Sequence, residues 1–138
     1  MFNIFYADCI GREGNCLYGW AVDGFIYLGG VLAKEVDSVK RGTTPTNTFK
    51  TNIDLTGSTV FITYSQAGRV MFEKSGDSLE ISSEAVVTRL TQKDTLKLKS
   101  AQQVDMQIRY VFPDGTAGAS NIMTVPVGEI LKDGEIEP

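Results

Sequence analysis

From Val39 to Val127 the chain is written largely in period two. Val104, Met106, Ile108, Tyr110 and Phe112 alternate with Gln103, Asp105, Gln107, Arg109 and Val111, which places five large apolar side chains on one face of a strand. Pro113-Asp114-Gly115 closes that strand, because Pro presets a turn and Gly supplies positive φ. The chain then returns from Ser120 to Val127 as a hairpin partner, and Pro126 marks this return strand as an edge, where a missing ladder donor is tolerated. Upstream, Val60–Tyr64 and Val70–Lys74 flank Ser65-Gln66-Ala67-Gly68-Arg69, a hairpin with a Gly-containing loop. Leu79–Ile81 and Ala85–Leu90 follow as short strands separated by Ser82-Ser83-Glu84. Thr91-Gln92-Lys93-Asp94 has the form of a capping box with Asp in the last place, so one helical turn is expected to cross the end of the domain. Strand lengths and turn spacing together predict an all-β protein, a small antiparallel β-sandwich.

Residues 1–38 differ in character. They hold the one Trp, three of the five Tyr, six of the fourteen Gly and both Cys, a mix that sets them apart from the sandwich pattern. Phe2, Ile4 and Tyr6 alternate with Asn3 and Phe5, and Gly19 to Leu28 reads as two short strands about Asp23-Gly24, a strong hairpin turn. The expected organisation is an N-terminal β-hairpin extension over residues 1–38, a sandwich over 39–130 and an acidic C-terminal tail over 131–138. The tail is expected to fray in solvent. Aromatic enrichment makes Trp20, Phe25 and Tyr27 a candidate interaction surface, and the same side chains would equally serve to plug one end of the core.

Composition narrows the chemistry. His is absent among the 138 residues, which removes the usual general base near neutral pH and the commonest metal ligand. No convergent catalytic set is visible, so the expectation is a protein that is not an enzyme and needs no cofactor. Thirteen Lys and Arg stand against 17 Asp and Glu, and such a mildly acidic surface repels a phosphate backbone, so nucleic acid is not an expected partner. No apolar run approaches the length of a membrane helix, and Met1–Phe5 lacks the basic start of an export signal, so the chain is expected to be made and kept in a cytoplasm. Cys9 and Cys16 enclose a Gly-containing loop; they are either free thiols or, in an oxidising setting, a disulfide. Zinc would need two further soft ligands. Asp8, Glu13, Asp23 and Asp54 lie nearest turns, where turn and capping duty is the expected role in place of a calcium site. Lys40 and Arg41, the one basic pair, complete the candidate interaction residues.

Four short motifs stand in a suggestive order: Lys40-Arg41-Gly42-Thr43 within Val39–Phe49, Leu55-Thr56-Gly57 within Asp54–Val60, Leu90-Thr91-Gln92-Lys93-Asp94-Thr95, and Gln107-Ile108-Arg109-Tyr110. In that order, over about residues 39 to 130, the chain resembles the immunoglobulin-like N-terminal domain of phage upper baseplate proteins and related small virion proteins of phages of Gram-positive gut bacteria. The resemblance implies an immunoglobulin-like sandwich and a phage structural protein of tail or baseplate. It implies assembly through contacts with other virion proteins or copies of itself, as a homo-oligomer in the particle, after synthesis in the host bacterial cytoplasm. It transfers no catalytic residue. The long downstream region of full upper baseplate proteins has no counterpart before Pro138, which points to a small accessory component. The alternatives are a capsid decoration protein, a phage-encoded inhibitor of a host protein or small ligand, and a carbohydrate-binding module. Residues 6–18 are similar to the opening of some mobile-element primases, a stretch too short to transfer a function.

Overall fold

The central strand is the one the alternation marks most clearly. In this computed structural model, which describes residues 2–7, 9–10 and 39–138, β9 (Gln103–Val111) buries Val104, Met106, Ile108 and Tyr110 almost completely. On one side β9 pairs antiparallel with β5 (Thr59–Gln66), which pairs in turn with β6 (Arg69–Ser75). On its other side lie β10 (Ala117–Ser120) and β11 (Met123–Gly128) in succession. Two-residue strands β2 (Cys9–Ile10) and β3 (Val39–Lys40) add to β10 and β11 and complete a seven-stranded sheet. The facing four-stranded sheet has the order β1 (Phe2–Ala7), β4 (Thr46–Thr51), β8 (Ala85–Arg89) and β7 (Leu79–Ile81). The chain passes from β4 to β5 and from β8 to β9 between sheets, and β3 runs parallel to the last strand; this is the Greek-key order of an immunoglobulin-like sandwich.

The two sheets are joined by apolar packing and by one buried polar chain. Phe5 stacks on Phe49 at 5.1 Å and Tyr64 on Phe72 at 4.5 Å, within a core that includes Leu55, Ile62, Val86, Leu90 and Leu98. Between them Asn3 Nδ2 donates to Asn47 Oδ1 at 3.1 Å, and Asn47 Nδ2 donates to the Tyr64 hydroxyl at 2.8 Å. All three residues are buried, so the two amides and the phenol must satisfy one another.

This arrangement changes the reading of the N-terminus. Phe2–Ala7 is no appendage: it is an edge strand of the smaller sheet, parallel to β4, with Phe5 in the core. Its inward face carries Asn3, Phe5 and Ala7, and the alternate face leaves Ile4 and Tyr6 exposed. The amide pair with Asn47 and the stack on Phe49 set that choice of face. The expected hairpin about Asp23-Gly24 lies outside the described residues.

Two further elements differ from expectation. The β5–β6 loop contracts to Ala67-Gly68, both at positive φ (50° and 79°), and a bulge follows Tyr64. Gln66 stays in the strand opposite Arg69, and its buried amide pairs with the Lys99 backbone, accepting at 2.8 Å and donating at 2.9 Å. The return strand is split at Asn121-Ile122 into β10 and β11. There the Ser120 hydroxyl accepts from Ile108 N–H at 3.0 Å and donates to the Asn121 carbonyl at 2.7 Å, filling the gap in the ladder. Pro126 lies near the end of β11, opposite Gln103; β3 pairs with β11 from Val127 onward, so the return strand, expected at the edge, is not the last strand of the sheet.

The expected helical turn is α1 (Gln92–Leu96), with both hydrogen bonds of the capping box formed: Thr91 Oγ1 accepts from Asp94 N–H and Asp94 Oδ2 accepts from Thr91 N–H, each at 3.0 Å. The Asp94 carboxylate also pairs with Lys74 of β6, and both side chains are largely covered. Burial alone would push the Asp94 carboxyl up. The hydrogen bonds from Lys74 and Thr91, with the Lys74 charge, outweigh it and hold the group below its usual range.

Asn47→Leu keeps the volume but strands the Tyr64 hydroxyl and the Asn3 amide, so it is expected to cost about 2–4 kcal/mol in urea unfolding, part of which Tyr64→Phe in the same chain restores. Because Asp94 titrates lower in the folded than in the unfolded chain, its stabilisation is full above the ordinary carboxylate range and is lost as pH falls through the depressed value. Asp94→Asn is therefore expected to lower the thermal midpoint at neutral pH and to flatten its decline toward acid.

Candidate interaction surface

The basic pair separates on folding. Arg41 leaves β3 into a turn at Gly42, whose φ of 76° suits Gly and where a Cβ would meet Ile130 Cδ1 at 3.0 Å. The turn aims the guanidinium at the end of α1: Nε donates to the Leu98 carbonyl at 2.8 Å and Nη2 to the Leu96 carbonyl at 3.4 Å, satisfying groups a helix end leaves open. The same guanidinium lies 3.4 Å from Glu129 and 3.4 Å from Asp133. Glu129 is held below its usual range first by the Ile130 N–H and the Ser100 hydroxyl, then by Arg41. Arg41 thus fastens this chain's own tail, and Lys40 alone of the pair remains exposed.

The tail is tied a second time. Gln92 exchanges two hydrogen bonds with the Ile136 backbone, donating at 3.0 Å and accepting at 2.9 Å. The tail is therefore held at Glu129, Asp133 and Ile136, where fraying was expected. Asp54 performs turn duty, accepting from the Thr56 hydroxyl and N–H, and these bonds lower its pKa. Trp20, Phe25 and Tyr27 lie outside the described residues, as do Asp8, Glu13, Asp23 and Cys16. Among the described residues, three or more His, Cys, Asp or Glu nowhere gather as a metal-holding group, and no helix is long and apolar enough to cross a membrane.

What the structure does bring together is a groove on the outer face of the larger sheet. Phe61 on β5 lies opposite Arg109 on β9, Thr59 opposite Val111, and Thr63 opposite Glu73 on β6. These six residues line a shallow groove of about 350 Å³. Phe61 and Val111 are each 42% exposed, which makes the floor apolar at the middle of a sheet face. The next strand, β10, sets Ala117 beside Val111 and Ala119 beside Arg109, and such short side chains leave that flank open. Glu73 accepts from the Thr63 hydroxyl at 3.1 Å, whereas no carboxylate among the described residues pairs with Arg109. The groove can hold an apolar side chain between an acid on one side and a cation on the other.

Sequence reasoning did not single out Phe61, although the signal was present. Val60-Phe61-Ile62 is an unbroken apolar run in a strand with one buried face, and period two obliges its middle member to point away from the core.

No family model matches the chain, and no curated protein matches it. Among solved structures the N-terminal domain of phage TP901-1 ORF48 is similar over 91% of this chain and 98% of that one, at 11% identity and a TM-score of 0.46. No residue role passes between the two at that identity.

Arg41→Ala removes the clamp on α1 and on the tail. It is expected to cost about 1–2 kcal/mol and to make Lys132 rapidly accessible to trypsin while the sandwich itself resists; a cleavage rate at Lys132 equal to that of the unaltered chain would count against the clamp.

Proposed function

We propose that this chain is a non-enzymatic structural component of a phage particle, belonging to the tail or baseplate, that acts through protein–protein contacts. The observation that carries the reading is the outer face of the larger sheet, where an aromatic and an aliphatic side chain stand exposed, rimmed by charge. With Val70, exposed on β6 of the same face, they form an apolar patch of the kind that contact surfaces present. The four motifs of the sequence resemblance support the same reading through their roles here. Lys40–Thr43 and Asp54–Gly57 form turns, Leu90–Thr95 caps and forms the crossing, and Gln107–Tyr110 lies on the central strand. All four shape the sandwich and its surface; none assembles a reaction centre. The partners on this reading are other virion proteins or further copies of the chain, and its place is the virion.

Mass spectrometry of purified particles of the phage or prophage that encodes the chain tests this directly. Stoichiometric presence is the expected result, with a copy number that separates tail from capsid. Absence from particles despite strong intracellular expression would overturn the proposal in favour of a host-directed inhibitor.

A further inference from the structure

We propose that the grooved face of the larger sheet packs against the same face of a second copy, about a two-fold axis running along β5. This inference rests on the reading of that face as a contact surface, and it names the occupant.

Two borders of the larger sheet, at β6 and at β11, are poor places for a partner strand. β6 carries a bulge and the charged residues Arg69, Glu73 and Lys74, and β11 carries Pro126 with β3 laid against its end. Bulges, charges and Pro are the devices by which sheet edges refuse further strands. Contact is thereby directed from the edge to the face.

The charges on that face are arranged for self-recognition. Glu73 lies on β6 to one side of β5, and Arg109 lies on β9 to the other, with Phe61 on β5 between them. Rotation by 180° about an axis along β5 sets β9 of one copy over β6 of the other and Phe61 over its own equivalent. Arg109 is level with Phe61, and Glu73 is level with Thr63, two residues further along the strand. That offset is about 7 Å, within the reach of an extended Arg side chain. Each opposite-charge pair then occurs twice, as an isologous contact requires. A two-fold axis across the strands would instead set Arg109 over Arg109, so the charge pattern selects one orientation as well as one partner.

Sedimentation equilibrium of the full chain, from micromolar to about 1 mM, tests the proposal. The expected result is a monomer–dimer equilibrium weakened about tenfold or more by Phe61→Thr. Arg109→Glu and Glu73→Arg are each expected to weaken the dimer, and the two together to restore it. Ile4→Thr, on the outer face of the smaller sheet, is expected to leave association unchanged. Circular dichroism and the thermal midpoint establish that each variant is folded. A monomer throughout the range, association indifferent to Phe61, or a double reversal that stays monomeric would each overturn the proposal. None of these outcomes bears on particle membership, which the composition of purified particles decides separately.

Discussion

A fully buried amide is the constraint on which the sandwich depends. Asn47 is completely enclosed, and a side-chain amide in that position is costly unless its donor and acceptor are both met. Asn3 meets one from the neighbouring strand and Tyr64 meets the other from the opposing sheet. The first of these bonds requires β1 to lie at one register against β4, with Asn3 beside Asn47. A slip of one residue would carry Asn3 out and Ile4 in, leaving the Asn47 carbonyl oxygen without its donor while the bond to Tyr64 remains. Burial pushes the Tyr64 hydroxyl well above its usual range, with the Asn47 bond opposing and the Asp94 charge adding, so the phenol stays neutral within the folded chain. The polar chain thus fixes register, and the flanking aromatic stacks supply apolar cohesion around it.

A second group of side chains rigidifies one end of the molecule by standing in for backbone. Gln66 pairs with Lys99, Gln92 with Ile136, and Arg41 with the carbonyls of Leu96 and Leu98. Each gives an irregular segment the hydrogen bonds it lacks, and all converge on the crossing that contains α1. Lys74 is drawn into the same region by Asp94. Arg41 and Lys74 are therefore engaged within the chain, and Glu73 and Arg109 are left as the charges flanking the exposed groove. The function proposed for the face depends on that division, because a contact surface needs a framework that does not rearrange when it is covered.

Much of the fold was legible in the sequence. Period two in Gln103–Val111, the paired runs about Gly68 and the Thr91–Asp94 box led to strands and a capped turn that the structure contains. These signals are local, and local chemistry is what a sequence displays. The face of β1 was not legible, because Ile4 and Tyr6 are more apolar than Asn3, and only the presence of Asn47 across the sheet makes an Asn the inward residue. Arg41 read as a surface charge for the same reason: the carbonyls it serves lie more than fifty residues away in sequence. Phe61 was legible in principle from its place in the Val60–Ile62 run. Its neighbours Arg109 and Glu73 were not, since their positions on either side of β5 follow from pairing register alone.

Hydroxyl-radical footprinting tests most directly whether the outer face is the surface through which the protein works, by comparing dilute free protein with the intact particle. The account predicts that Phe61 and Val111 are strongly protected in the particle while Ile4, exposed on the outer face of the smaller sheet, reacts as before. Equal oxidation of Phe61 in the two states would contradict it.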